Sequence, residues 1–112
     1  MTHDSSARQL LRGTLDLLIL QALSTRPLHG YAIARRVEVD TSDALSVEEG
    51  SLYPALHRLE ERGLVTARWT TDRGRRVRLY ALTRAGRKRL TERRQEWLLF
   101  ARAVGRMIGG SR

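Results

Sequence analysis

The chain has 112 residues, 41% of them apolar and none of them cysteine, which suits one cored domain, argues against wholesale disorder, and excludes disulfides and thiolate metal sites. No apolar run approaches the roughly 18 residues of a membrane span, and the polar start MTHDSSARQ lacks the apolar core of a signal peptide, so a cytoplasmic protein with no membrane partner is expected. The formal net charge of +9 and sequence pI of about 11.4 point to a polyanionic partner, most simply nucleic acid.

Residues 1–8 read as a mobile tail. Leu11, Leu15, Leu18, Ile19, Ala22 and Leu23 then recur at helical spacing and predict a first helix that ends before Pro27. RPLHGYA reads as a turn. A second helix runs from about Gly30 to Val39, with Ile33 and Val37 one turn apart on one face. DTSDALSVEEG is polar and turn-like. The third helix follows in EGSLYPALHRLEERGLV, with Leu52, Leu56 and Leu59 as its buried stripe and Gly63 as its stop. Ser51 is the expected N-cap, which would put Pro54 at the third helical position, where no intrahelical bond is lost.

LVTARWTT alternates, with Val65, Ala67 and Trp69 on one side. RVRLYALT alternates again, with Val77, Leu79 and Ala81 on one side and Arg76, Arg78 and Tyr80 on the other. Two such runs around DRGR predict a β-hairpin. Thr83 caps a last helix from about Arg84 to Ile108, about 37 Å long. The fold class is therefore mainly α with a small β-hairpin: a winged helix-turn-helix over residues 9–83, then a long C-terminal helix in 84–112. In such a unit the third helix enters the major groove and the hairpin lies along the backbone.

The segments GTLDLLILQAL, HGYAIARRV, GSLYPALHRLEERGLV and YALTRAGRKRL resemble the PadR family of bacterial transcriptional regulators, from about Leu10 to the C-terminal end. LYPALHRLEERGLV and LTRAG are the most specific parts. The length fits the short subfamily, with a single C-terminal helix after the winged domain. The resemblance implies a homodimeric DNA-binding regulator, usually a repressor, relieved in some members by small phenolic or drug-like ligands. It supports Tyr53 as a DNA contact more than His57, and it places Gly50 and Ser51 at the start of the recognition helix.

Read for themselves, the candidate residues fall into two groups. RWTTDRGRRVR, from Arg68 to Arg78, sets five arginines against Asp72. A charge run is usually a solvated face, but this one sits at a hairpin tip beside a groove-sized helix. Arg73, Arg75 and Arg76 are the expected phosphate contacts, each worth about 0.9 in the slope of log affinity against log salt. All but Lys88 of the 21 basic residues are arginine; the guanidinium fork suits phosphate and guanine edges, while a GC-rich genome would give the same bias. On the third helix, Ser51, Tyr53, Pro54, His57, Arg58, Glu61 and Arg62 lie off the leucine stripe; those nearest the N-terminus reach furthest into a groove, so Ser51, Tyr53 and Pro54, then His57 and Arg58, are the candidate readers, with Gly50 added by the resemblance. Tyr53 either faces DNA or packs half-buried on the second helix, and His57 is either a contact or an ordinary surface histidine. Arg35 and Arg36 of the second helix are candidate backbone contacts, and Tyr31 reads equally as contact or core.

The second group lies on the last helix. Leu90, Arg94, Trp97, Ala101, Val104 and Ile108 form a heptad seam, flanked by Leu98 and Met107. The simplest cover is the same helix of a second chain, with Leu11 and Leu15 of the first helix joining the dimer interface. The other reading folds this helix back on its own first helix. Trp97 is either an interface anchor or, with Arg94 and Ala101, the wall of a site for a flat aromatic effector.

No catalytic constellation, cofactor motif or metal-ligand spacing is present: His3, His29 and His57 are scattered, and no GxGxxG or GxxxxGK[ST] occurs. The expectation is no enzyme, no cofactor and no metal. The leading function is a sequence-specific transcriptional regulator, a homodimeric repressor on double-stranded operator DNA with an inverted repeat. The alternative is a basic winged-helix RNA- or ribosome-binding protein, against which stands the placement of most of the six aromatics on predicted core faces. A protein-binding adaptor is a further rival, opposed by the wing arginines.

Overall fold

The computed structural model describes residues 3–109, with side chains from residue 13 onward. The elements run α1 (His3–Ala22), β1 (Leu28–His29), α2 (Gly30–Asp40), α3 (Glu49–Glu61), β2 (Val65–Asp72), β3 (Arg75–Leu82) and α4 (Arg84–Met107). This is a three-helix unit with a winged sheet and a long closing helix, the class the sequence predicts.

Three differences from the expected outline have physical causes. First, α1 starts at His3 rather than after the expected tail 1–8; no proline or glycine stands between there and Gly13 to stop it. Second, the RPLHGYA segment is not only a turn. Leu28 pairs with Tyr80 and His29 with Leu79, so the sheet has three antiparallel strands in the order β1-β3-β2. Third, α3 begins two residues before Ser51. Its N-cap is Glu48, whose side chain makes no capping bond, and the Ser51 and Leu52 amides both donate to the Glu48 carbonyl. Pro54 therefore stands inside the helix, where its missing N–H removes the bond that the Gly50 carbonyl would accept. Gly50 is exposed, so solvent can take that carbonyl.

The core gathers Leu17, Ile19 and Leu20 of α1 with Leu23 just after it, Ile33 and Val37 of α2, Leu52, Ala55, Leu56 and Leu59 of α3, and Leu64, Val65, Tyr80 and Leu90. The α1 stripe is rotated from the expected one: Leu17 and Leu20 are buried, while Leu15 and Leu18 are only partly covered. Every apolar position in LDLLILQAL could serve, so the periodicity does not choose the face. The α3 stripe is as expected, and each of its leucines is almost wholly enclosed. Fully burying such a side chain is worth about 1.5–3 kcal/mol.

The corner after α3 is a Schellman turn. Leu64 N–H donates to the Leu59 carbonyl and Gly63 N–H to the Glu60 carbonyl, with Gly63 at φ +75°. The same corner seats α4. Thr83 Oγ1 donates to the Gly63 carbonyl (2.7 Å) and accepts from Gly86 N–H (2.9 Å), while Thr83 N–H donates to the Leu64 carbonyl. A Cβ on Gly86 would collide with the Leu64 carbonyl oxygen. The LTRAG segment is thus a fitted joint, which is why its threonine and glycine stand three residues apart.

Candidate nucleic-acid interface

The wing is a two-residue hairpin. Asp72 pairs with Arg75, and the loop residues Arg73 and Gly74 take φ +53° and +79°. Positive φ at both positions is the primed turn whose twist matches paired strands. Arg73, Arg75 and Arg76 are exposed there, and none has a carboxylate partner among the described residues.

Cross-strand pairing decides which face of the hairpin packs. Val65 lies opposite Leu82, Ala67 opposite Tyr80, Trp69 opposite Arg78 and Thr71 opposite Arg76. The buried side is therefore the Tyr80 side, not that of Val77, Leu79 and Ala81, which are only partly covered. Burial pushes the Tyr80 phenol pKa up, with nearby Arg78 working against it and Glu60 and Tyr53 adding to it. On the same side Arg78 Nη2 donates to Glu60 Oε2 of α3 (3.0 Å), tying wing to helix. Trp69 lies on this side as expected but beyond the core, 55% exposed.

On α3, Gly50, Ser51, Pro54 and His57 are exposed. His57 Nε2 stands 3.3 Å from Glu61 Oε2 one turn on. Tyr53 is 45% exposed, and its ring and hydroxyl sit against the start of α2: a Cβ on Gly30 would lie 2.5 Å from Oη. Tyr53 thus combines both sequence readings, one edge packed and the other open. Arg58 does not point with the other readers. Its Nη2 donates to Asp16 Oδ1 of α1 (3.2 Å), a contact across 42 residues of sequence that no local pattern reveals. On α2, Arg36 is held by Asp40 (2.8 Å), and Arg35 is loosely paired with Glu38 (3.4 Å).

His29 carries a role the sequence reading missed. It caps α2, its Nδ1 accepting from Ala32 N–H (3.3 Å), and its Nε2 stands 3.8 Å from Asp72 at the wing. Tyr31 is 74% exposed and stacks near His29, so it is not core. With Tyr53, Trp69, Trp97 and Phe100 also exposed, Tyr80 is the buried aromatic. The expectation that most aromatics lie on core faces is therefore corrected. An exposed aromatic at a strand end or helix start looks, in sequence, like part of the adjoining apolar stripe.

The last helix divides. Its first half folds back on α1: Leu90 is buried in the chain's own core, so it does not face a second chain. Arg94 Nη2 donates to Gln21 Oε1 (2.7 Å), Arg87 to the Ser24 carbonyl and Arg93 to the Gly13 carbonyl. Its second half is bare. Trp97, Leu98, Leu99, Phe100, Val104, Met107 and Ile108 are all exposed, with Trp97 and Phe100 rings 6.0 Å apart; Ala101 is exposed beside them. Leu15 packs partly on the core, and Leu11 lies outside the residues whose side chains are described. Among the described residues no group of three or more metal-ligating side chains occurs, and no helix is long and apolar enough to cross a membrane.

The arrangement matches known proteins along nearly its whole length. A Mycobacterium tuberculosis protein, Transcriptional regulator Rv3488, is 35% identical over 103 residues, 92% of this chain and 91% of its own. A transcriptional regulator from Clostridium thermocellum superposes with a TM-score of 0.79 at 26% identity, covering 88% of this chain and 96% of that one. A PadR family transcription regulator from Clostridium difficile gives 0.72 at 28% identity, covering 83% and 96%. The profile of the Transcriptional regulator PadR-like family matches residues 19–92, from the last turn of α1 through the wing into α4. The chain belongs to the PadR-like family and is a transcriptional regulator, not an enzyme.

Proposed function

We propose that this regulator is a homodimer that reads double-stranded operator DNA containing an inverted repeat and acts as a repressor. The observation that carries the reading is the set of three exposed wing arginines without a carboxylate partner among the described residues, Arg73, Arg75 and Arg76, on a sheet tied to α3 through Arg78 and Glu60. In this assignment the exposed α3 residues Gly50, Ser51, Tyr53, Pro54 and His57 enter the major groove, and Arg35 and Arg36 approach the flanking backbone. Arg58 supports the helix from behind through Asp16. The bare half of α4 supports the dimer: Trp97, Leu98, Ala101, Val104 and Ile108 form an apolar surface that a second copy would cover. The Trp97–Phe100 pair within that surface suits a flat aromatic effector that would loosen operator binding, with Ala101 leaving room and Arg94 at its edge.

Selection of bound molecules from random duplexes tests this reading. The expected result is enrichment of an inverted repeat with half-sites about one helical turn apart. Failure to enrich any duplex motif removes the specific-regulator reading. The exposed Tyr31, Tyr53 and Trp69 also suit base stacking in a single-stranded RNA. A parallel selection from random RNA that enriches where the duplex selection does not would move the assignment to RNA.

A further inference from the structure

Trp69 is the exposed aromatic of the wing, where Tyr80 is the buried one. Its ring leaves the core at the end of the packed row Val65–Ala67–Trp69 and stands 55% exposed. Its indole N–H has no hydrogen-bond partner among the described residues. Two guanidinium groups lie against it, Arg76 with its carbon 4.6 Å from a ring centroid and Arg78 at 5.3 Å. Both arginines are on the same face of the hairpin, Arg78 directly opposite Trp69 and Arg76 one step nearer the tip, opposite Thr71.

The two arginines are not equivalent. Arg78 is already engaged: Nη2 is held by Glu60, and Nε is buried without a hydrogen-bond acceptor. Arg76 has no carboxylate partner and is exposed. A guanidinium lying over an indole is attracted by the ring face, yet its N–H edges stay free for a phosphate. Stacking also narrows the rotamers of a side chain that otherwise loses considerable freedom when it binds.

From this arrangement we infer that Trp69 is a positioning residue for nucleic-acid binding: its ring holds the Arg76 guanidinium in place for one backbone phosphate of the duplex, while Arg78 and Glu60 fix that platform against α3. The inference rests on the duplex-binding reading above and assigns the wing residue through which it is executed. Arg73 and Arg75, with no ring beneath them, contact phosphate without such support.

The test is the salt dependence of affinity for the duplex enriched in the selection, measured with the full chain. Wild type sets the slope of log affinity against log salt. Arg76→Ala is expected to lower that slope by about 0.9, one phosphate contact, and affinity by about fivefold to tenfold at low salt. Trp69→Ala is expected to reproduce both changes although it removes no charge. The double variant is expected to lose no more slope than Arg76→Ala alone, and Trp69→Phe, which keeps a ring face, to stay near wild type. A wild-type slope in Trp69→Ala, or slope losses that add in the double variant, overturns the inference. So does a loss in Trp69→Ala that Trp69→Phe does not restore, because that outcome marks a packing defect of the hairpin. Absence of duplex binding by the wild-type chain removes the DNA-binding reading itself; duplex binding with an unmoved Trp69→Ala slope removes the inference alone.

Discussion

Tyr53 shows how a single residue can serve two surfaces. Its tip rests where a Cβ on Gly30 would be, at 2.5 Å from Oη and 2.8–2.9 Å from two ring carbons, while nearly half of the residue is open. Glycine at position 30 is therefore a fitting for the phenol as well as the first residue of α2. Two substitutions separate packing from contact. Tyr53→Phe keeps the ring and removes the hydroxyl, and is expected to weaken duplex affinity about twofold to tenfold, the worth of one hydrogen bond, without changing the melting temperature. Gly30→Ala is expected to displace the ring and weaken affinity by at least as much, because the whole side chain moves. Titration of duplex by fluorescence anisotropy reads both. An unchanged affinity in Tyr53→Phe assigns the hydroxyl to packing against α2 alone. Proximity of Tyr53 to Gly30 links two elements 23 positions apart in sequence, so the pattern within either helix shows only that the tyrosine lies off the leucine stripe. Arg58 is a parallel case. Its position one turn after Pro54 makes it look like a reader, and only the fold brings Asp16 beneath it.

At the scale of elements, what could be read in the sequence depended on how local the cause was. The hairpin was legible because its two alternating runs and the Arg73–Gly74 turn are adjacent in the chain. Thr83 as a cap was legible for the same reason. The strand Leu28–His29 was not, since two residues carry no periodicity and their partner is fifty positions away in β3. The start of α3 was misplaced because Ser51 has the chemistry of an N-cap, whereas the helix starts earlier from Glu48 without a side-chain cap. Which side of β3 is buried was likewise open, since Val77, Leu79 and Ala81 look more like a core row than Arg76, Arg78 and Tyr80. The joint at LTRAG permits a sharp expectation. Gly86→Ala would drive a methyl into the Leu64 backbone carbonyl, which cannot swing aside as a side chain can. The expected loss is about 1–3 kcal/mol. Thr83→Ala removes the cap at Gly86 N–H and the bond to the Gly63 carbonyl, with an expected loss of about 0.5–2 kcal/mol. Urea unfolding followed by circular dichroism checks both, and a Gly86→Ala midpoint equal to wild type would show that α4 is not seated on this corner.

For the molecule as a whole, the decisive feature is that α4 changes environment along its length. Up to Arg94 the helix is fastened to α1 by Leu90 and by the Arg93 and Arg94 hydrogen bonds, with Arg87 held to Ser24 just beyond α1. From Trp97 onward its large apolar side chains meet solvent. None of the described residues covers them, and a contiguous apolar surface marks an interaction site. If a second copy covers it, the burial is directional and a matched pair of substitutions can show this. Val104 lies in the heptad seam with Trp97, Ala101 and Ile108. Leu99 is nine residues from Leu90, about 180° around the helix, and is equally apolar and more exposed. Val104→Glu is expected to convert a dimeric mass to a monomeric one in light scattering at micromolar concentration, because the carboxylate would be buried without a partner. Leu99→Glu is expected to leave the dimer intact. The monomeric variant should keep its helical content, since Leu90 and the Thr83 joint hold α4 to its own domain. It should also bind one half-site weakly in place of the full repeat, having lost the link between two recognition helices about 34 Å apart. Equal loss of dimer in both variants would mean that the covering surface lies on the Leu99 side as well, and a dimer that survives Val104→Glu would place the interface away from the seam.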